Sequence, residues 1–421
     1  MVWDKISTGS IAVVFTTAGL CFSTYFIFYG KGQKRATTNI PELGGFSLLT
    51  AWPFFAQRND FLWANFKKTG ANIFRFRVLQ QCWRQWFLKQ ILALFTKDRM
   101  TDVFPSLLRD TTRLMAGWGS EGTINPFDEL NAIVFQLTVR MSSCQELAND
   151  QKAVARMSEL IDVIEKNATP ASLLLPWFPS PTRRSRQGAT RELFAMMGAY
   201  VERRRAASFS LRLINAEYIN TGMNVCWNLL YLGMHPDWKD KVAAEIQMLV
   251  SNHTNSISNE LDERLASIPL NAWGTELPVT DCIIRETLRM MMGASLLRRN
   301  LDEDVVVDDR VIPQGDFLIY PLADVHANPD IYPDPFKFDP ERFDPGREED
   351  KKVPLAFLGW GAGEWPGPLI MALFFLTFEF EVVDSSGEFP KSLPRADFNE
   401  FKRTGPPQDN PCYIKFKRIV A

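Results

Sequence analysis

The sequence predicts a mainly helical fold with small β-sheets, preceded by one N-terminal transmembrane helix. Three observations carry that expectation. Apolar residues recur at intervals of three and four through long stretches between residues 86 and 290. Short β-branched runs bounded by Asp, Gly and Pro cluster after residue 300. A charge-free apolar run occupies residues 6–30, long enough for a membrane helix, which needs about 20 apolar residues. The chain has 421 residues, 46% of them hydrophobic, so it can bury a sizeable core and is not a disordered chain.

Taken in order, the first element is the anchor at 6–30. A cleaved signal peptide is the rival, but the run is long and no small-x-small cleavage site follows it. Lys31, Lys34 and Arg35 follow it while only Lys5, beside Asp4, precedes it, which directs the body of the chain to the cytosol. Residues 31–44 form a polar linker ending in Pro41-Glu-Leu-Gly-Gly45, and residues 45–421 are expected to form one domain.

Within that domain, residues 86–116 and 128–165 read as helices. Residues 173–181 read as a rigid apolar loop, and 183–205 as an amphipathic helix carrying seven arginines. A helix over 211–233 presents Ile214, Tyr218, Met223, Cys226, Leu229 and Leu230, and another opens at Pro236 and runs to Val250. A helix begins near Thr280 or Asp281. Val305-Val-Val and Arg310-Val-Ile312 read as a hairpin, and Phe317-Leu-Ile-Tyr320 as a third strand. Cys412, Ile414 and Phe416 alternate with Tyr413, Lys415 and Lys417, the pattern of a half-buried strand.

Charge and composition narrow the function. A formal net charge of −2 provides no electrostatic footprint for nucleic acid, so no nucleic-acid partner is expected. The six cysteines, at positions 21, 82, 144, 226, 282 and 412, show no CxxC spacing and read as reduced thiols. His235, His253 and His326 are too scattered for a histidine-rich metal site.

Three segments carry the chemistry. Glu286-Thr-Leu-Arg289 places an acid and a base three apart on one helical face, where they can pair. Glu202-Arg-Arg-Arg205 repeats that pattern in what reads as a surface pair. Then come Pro335-Phe-Lys-Phe-Asp-Pro-Glu-Arg342-Phe343 and Trp360-Gly-Ala-Gly363-Glu364-Trp365-Pro366-Gly367-Pro368-Leu369. In this order and spacing the segments resemble the cytochromes P450, the haem-thiolate monooxygenases. Among those, the tail at 407–418 and the Trp360 loop are most similar to fungal sterol-demethylase-like members.

The resemblance implies a cytochrome P450 fold, incomplete here, with haem (heme) and its iron as cofactor. It implies oxidation of a lipophilic small molecule such as a sterol, a terpenoid or another secondary metabolite. NADPH–cytochrome P450 reductase would be the electron donor, and membrane lipid a further partner, at the endoplasmic reticulum with the catalytic domain in the cytosol. It assigns Glu286, Arg289 and Arg342 to a buried structural triad, and Arg298 or Arg299 to a haem propionate. Trp360 and Gly363 fall in the cofactor-binding loop. Thr221 with Asn220 would relay protons on the distal helix; the plain alternative is a polar stripe of Asn220, Asn224 and Asn228.

Four departures stand against that pattern. Gly367 occupies the expected position of the axial cysteine, Trp365 that of a basic residue and Leu369 that of a glycine, while Glu217 replaces a small residue on the distal helix. No metal ligand is therefore assigned, and Cys226, Cys282 and Cys412 read as core thiols rather than replacements. The sequence also looks shortened around 78–95, 206–211 and 364–371. Two function classes stay open. One is a P450-type monooxygenase whose activity this chain lacks for want of the cysteine. The other is a non-enzymatic relic, or the product of wrongly joined coding segments, that binds lipid or scaffolds partners.

Overall fold

The computed structural model describes residues 40–43, 47–71, 73–76, 97–143, 145–174, 179–203, 210–254, 260–293, 295–301, 303–307, 309–359, 367–392, 395–399 and 411–419. The anchor expected at 6–30 and most of the expected linker lie outside them. Among the described residues no helix is long and apolar enough to cross a membrane. The chain forms two units, Met1–Pro41 with Leu297–Ile319, and Glu42–Leu296 with Tyr320–Ala421.

In chain order the larger unit opens with α1 (Ser47–Ala56), α2 (Arg58–Thr69), α3 (Lys97–Ala116) and β1 (Glu121–Ile124). There follow α4 (Pro126–Ser142), α5 (Gln145–Asn149), α6 (Gln151–Lys166), α7 (Pro170–Leu174) and α8 (Pro181–Arg203). Next are α9 (Ser210–Met234), α10 (Pro236–His253), α11 (Leu261–Ala266), α12 (Leu270–Thr275) and α13 (Pro278–Met291). In the stretch that includes the smaller unit, β2 (Ser295–Arg299) precedes an antiparallel hairpin of β3 (Val305–Val307) and β4 (Arg310–Ile312). There β2 pairs with β5 (Phe317–Pro321). The larger unit resumes with α14 (Leu322–His326), 3-10 turns at Pro340–Phe343 and Glu349–Lys351, α15 (Gly367–Thr377), β6 (Phe378–Val383) and β7 (Tyr413–Arg418).

Helix α9 is the axis of the core. From Thr221 to Leu232 every residue is buried, as expected of a helix surrounded by others. It packs along α4 and touches α10, α13, α15 and β6. Trp227, fully buried, meets Phe127 of α4 edge-on at 5.7 Å, and Tyr231 stacks on Phe338 at 4.6 Å. At Gly222 a Cβ would lie 2.0 Å from Asn131 Oδ1 of α4, so glycine sets the closeness of that crossing.

The periodicity reading holds for most helices and fails at their breaks. Residues 128–165 are not one helix but parts of α4, α5 and α6. Ser143 ends α4 in extended backbone, and Asp150 caps α6 by accepting the amide of Ala153. Residues 86–96 lie outside the described residues. Helix α10 runs three residues past Val250, and α13 starts at Pro278, where proline suits the first turn. The third strand, β5, pairs with β2 rather than extending the hairpin.

Two further strands, β1 and β6, flank β7 in an antiparallel sheet ordered β1-β7-β6. In β7, Ile414 and Phe416 are buried while Lys415 and Lys417 are exposed, with buried Cys412 just before the strand. The rigid loop expected at 173–181 begins as the last residues of α7, and 175–178 lie outside the described residues.

Candidate functional site

Charge pairing on α13 builds the site. Glu286 and Arg289, one turn apart, form a fork-to-fork pair, with Arg289 Nε 2.7 Å from Glu286 Oε2 and Nη2 2.8 Å from Oε1. Arg342, brought in by the first 3-10 turn, donates from Nε to Glu286 Oε1 at 3.4 Å. All three side chains are at most 1% exposed. Glu286 Oε1 also accepts the Asp339 amide at 3.1 Å. One carboxylate thus serves two guanidiniums and a backbone N–H, which offsets the cost of taking these charges out of water.

The network has members the sequence reading missed. Arg342 Nη1 donates to Glu349 Oε2 at 2.8 Å, and Arg347 Nη2 to Glu349 Oε1 at 2.8 Å. Burial pushes the Glu349 carboxyl up, but bonds from Arg347 and Arg342 hold it below the usual range. Glu349 sits seven residues after Arg342 in an acidic run, with no periodic signal to mark it.

His326 is the second omission. Its carbonyl accepts Arg289 Nη1 at 2.7 Å, and its Nε2 accepts the Leu358 amide at 3.4 Å. Its ring stacks on Phe357 at 5.6 Å. Burial, then the charge of Arg289, lowers its pKa to about 3. The ring is therefore neutral and its proton sits on Nδ1, which has no hydrogen-bond partner among the described residues.

The neighbouring segment is fastened too. Tyr332 donates to the Ala356 carbonyl at 3.2 Å. At Gly359 a Cβ would come within 2.7 Å of the Phe357 ring and 3.2 Å of Leu288 on α13. The charge network therefore holds residues 356–359, the approach to the loop at 360–366. Trp360 and Gly363, like Glu364 and Trp365, lie outside the described residues, and Gly367 is the first residue of α15.

Thr221 is buried on α9, whereas the side chains of Asn220 and Glu217 lie outside the described residues. Asn224 Nδ2 donates to the Ile284 carbonyl of α13 at 3.4 Å. Asn228 Nδ2 donates to Asn224 Oδ1 at 3.0 Å and approaches Met371 Sδ of α15 at 3.3 Å. These two asparagines of the polar stripe tie α9 to its neighbours.

The two arginine candidates for a propionate lie within β2 rather than before the first strand. Successive strand residues face opposite ways, so the pair cannot serve one ligand from one face. Arg299 is occupied, with Nε 3.4 Å from the Gly315 carbonyl and its guanidinium 5.5 Å from the Phe317 ring. Arg298 is exposed and donates to the carbonyl of Leu297 at 3.0 Å. The Glu202–Arg205 side chains lie outside the described residues.

The comparisons with known proteins agree with this geometry. A family model described as Cytochrome P450 matches residues 209–364. Cytochrome P450 monooxygenase AacuE of Aspergillus aculeatus is 28% identical over 356 residues, covering 75% of this chain and 70% of its own length. Cytochrome P450 monooxygenase nsrP of Aspergillus novofumigatus is 27% identical, covering 74% of this chain and 66% of its own length. A retinoic acid bound cyanobacterial CYP120A1 superimposes with a TM-score of 0.70, covering 91% of this chain and 100% of that one, at 18% identity. Residues 209–364 thus match the cytochrome P450 family, and about three quarters of the chain is similar to cytochrome P450 monooxygenases.

That similarity supports an oxidoreductase of the P450 monooxygenase type, and haem is the cofactor of the family matched. The likeness to the cyanobacterial protein concerns the fold alone. For nsrP, and for dmxR5 of a Cryptosporiopsis species at 57%, the match spans less than two thirds of the relative's length. None of these relatives is named a sterol demethylase, so that subgroup rests on the sequence reading only.

Among the described residues, the cysteines do not fit a thiolate-bound haem. Cys226 donates to the Pro126 carbonyl at 3.1 Å, and burial drives its pKa well up. Cys282 faces Asp344 Oδ1 at 3.5 Å, and burial and that carboxylate push its thiol up to about 12. Cys412, buried, is pushed up to about 11 by burial and then Asp384. Cys226 and Cys282 are engaged by the Pro126 carbonyl and Asp344, Cys412 is buried just before β7, and none of the three lies in the segment just after Gly359 where the ligand is expected. No group of three or more potential metal ligands occurs among the described residues.

Proposed function

We propose that the whole protein is by descent a membrane-anchored monooxygenase of a lipophilic small molecule, and that the chain as its sequence stands does not catalyse. One observation carries the second half. No cysteine lies between Cys282 and Cys412, and the position expected for the ligand is Gly367 at the start of α15. The thiolate's electron push, which favours O–O cleavage in this family, has no source there.

Two supports concern how the sequence came to this state. The family match begins at 209 and ends at 364, at two of the three places where the sequence looks shortened. The buried charge network around Glu286 is nonetheless complete. Loss of coding segments fits that combination better than gradual decay. It favours a folded chain that has lost its cofactor loop over an unfolded remnant. Sequencing the transcript separates wrongly joined segments from a true relic.

The substrate reading remains a sterol, terpenoid or other secondary metabolite. The electron donor by resemblance is NADPH–cytochrome P450 reductase at the endoplasmic reticulum membrane, with the body in the cytosol. Thr221 with Asn220 is the candidate distal pair, and Arg298 is the propionate candidate with the freer side chain.

The deciding experiment is a reduced carbon-monoxide difference spectrum on purified protein reconstituted with haem. The expected outcome is no thiolate-type band and no substrate hydroxylation. A clear thiolate band from the unmodified chain overturns the proposal, and Cys412 would then be the first residue to mutate.

A further inference from the structure

A cavity of about 480 Å³ opens between α3, α4 and α5, lined by Ser106, Arg109, Asp110, Arg113, Arg140, Gln145 and Asn149. Its one acid is saturated. Asp110 Oδ2 accepts from Arg140 Nε at 2.7 Å and Gln136 Nε2 at 3.0 Å. Asp110 Oδ1 accepts from Arg140 Nη2 at 3.0 Å and Arg113 Nη2 at 3.2 Å. Three guanidiniums line the cavity with that single carboxylate, leaving two positive charges in excess.

The unspent guanidinium donors lie on one face of α3. Arg109 and Arg113 are four residues apart on α3, the spacing of neighbours on a helix. Arg109 is exposed with no partner among the described residues, and Arg113 commits only Nη2. Gln145 and Asn149 of α5 and Ser106 of α3 also line the cavity, as residues with side-chain amides and a hydroxyl. Arg140, 8% exposed, is fixed by its fork to Asp110, which holds the floor rigid.

From this we infer that the α3–α4–α5 cavity is an anion site for a phosphoryl group, separate from the haem region. Guanidinium forks match phosphate oxygens with two bonds at once, and amide and hydroxyl donors complete the shell. Binding needs no change in the Asp110 pairs, because the ligand is met by N–H groups those pairs leave over. A phospholipid headgroup and a free phosphate present the same chemistry to these donors.

The test uses the full-length chain. Its unfolding midpoint is measured against rising inorganic phosphate, with chloride at matched ionic strength as control. In parallel, the chain is floated with phosphatidylcholine vesicles with or without phosphatidylinositol 4-phosphate. Phosphate should raise the midpoint saturably where chloride does not, or the phosphoinositide should increase vesicle capture. The first outcome identifies free phosphate as the source and the second a headgroup. Arg109→Gln should weaken whichever effect is seen by about tenfold, the value of one charge-assisted hydrogen bond, and Arg109→Gln/Arg113→Gln should abolish it. Arg109 is exposed and makes no hydrogen bond or ion pair among the described residues, so the single variant is a fair probe of binding. Equal effects of phosphate and chloride with no phosphoinositide dependence overturn the site, as does binding unchanged in both variants.

Discussion

At the scale of residues, the charge network around Glu286 makes the firmest prediction. Removing one partner of a buried pair leaves an uncompensated charge and costs about 3–5 kcal/mol. The geometry ranks the variants. Glu286→Ala strands Arg289, whose two forked bonds go to that carboxylate alone. Arg342→Ala leaves Glu286 still paired with Arg289, and Glu349 still paired with Arg347. Glu286→Ala should therefore lower the denaturant midpoint more than Arg342→Ala, and the double variant should be no worse than Glu286→Ala alone. Wild-type midpoints for both single variants would remove the network from the account. The Glu286–Arg289 pair was legible in the sequence because three residues is a helical neighbour distance. Glu349 and His326 were not, because chain folding rather than local spacing brings them to Arg342 and Leu358.

At the scale of elements, what could be read depended on length and surroundings. The long helices α8, α9 and α10 announced themselves by periodicity, whereas the breaks at Ser143 and Asp150 did not, because apolar residues continue across them. Strand β6 alternates buried and exposed residues from Phe378 to Val382, a period-two signal masked by the apolar run of α15 that leads straight into it. Strand β1 has four residues, none buried, and exists because β7 pairs with it. The charge-free run at 6–30 belongs to this scale as well, and its length and flanking lysines predict a single anchor with the body in the cytosol. Membrane association should resist carbonate. Asn167-Ala-Thr169 and Asn252-His-Thr254 should stay free of glycans, since both face the cytosol in that topology. Asn167 is already engaged at the end of α6, its Nδ2 donating to the Val163 carbonyl at 2.8 Å. Endoglycosidase-sensitive mass at either asparagine would reverse the orientation.

At the scale of the whole molecule, the fold and the proposed loss of the cofactor ligand are separable. The helical core around α9, the sheet ordered β1-β7-β6 and the network that fastens residues 356–359 are all in place. The departures from the family pattern that bear on the iron ligand fall at Trp365, Gly367 and Leu369. If the defect were a single residue, Gly367→Cys would restore a thiolate. Three features argue that it will not. Gly367 already stands in the first turn of α15, so a cysteine there would sit on a helix rather than on a loop. Trp365 stands where the family pattern has a basic residue, and Leu369 where it has a glycine. Leu369 is also packed in the core at 1% exposure, so returning glycine there would remove a buried side chain at a cost of about 2–5 kcal/mol. Gly367→Cys should accordingly give neither a thiolate-type carbon-monoxide band nor hydroxylation, while a chain with the whole loop from a relative grafted between Gly359 and Leu369 should give the band. A thiolate band from Gly367→Cys alone would show that one residue, and not a lost segment, separates this chain from a working cytochrome P450.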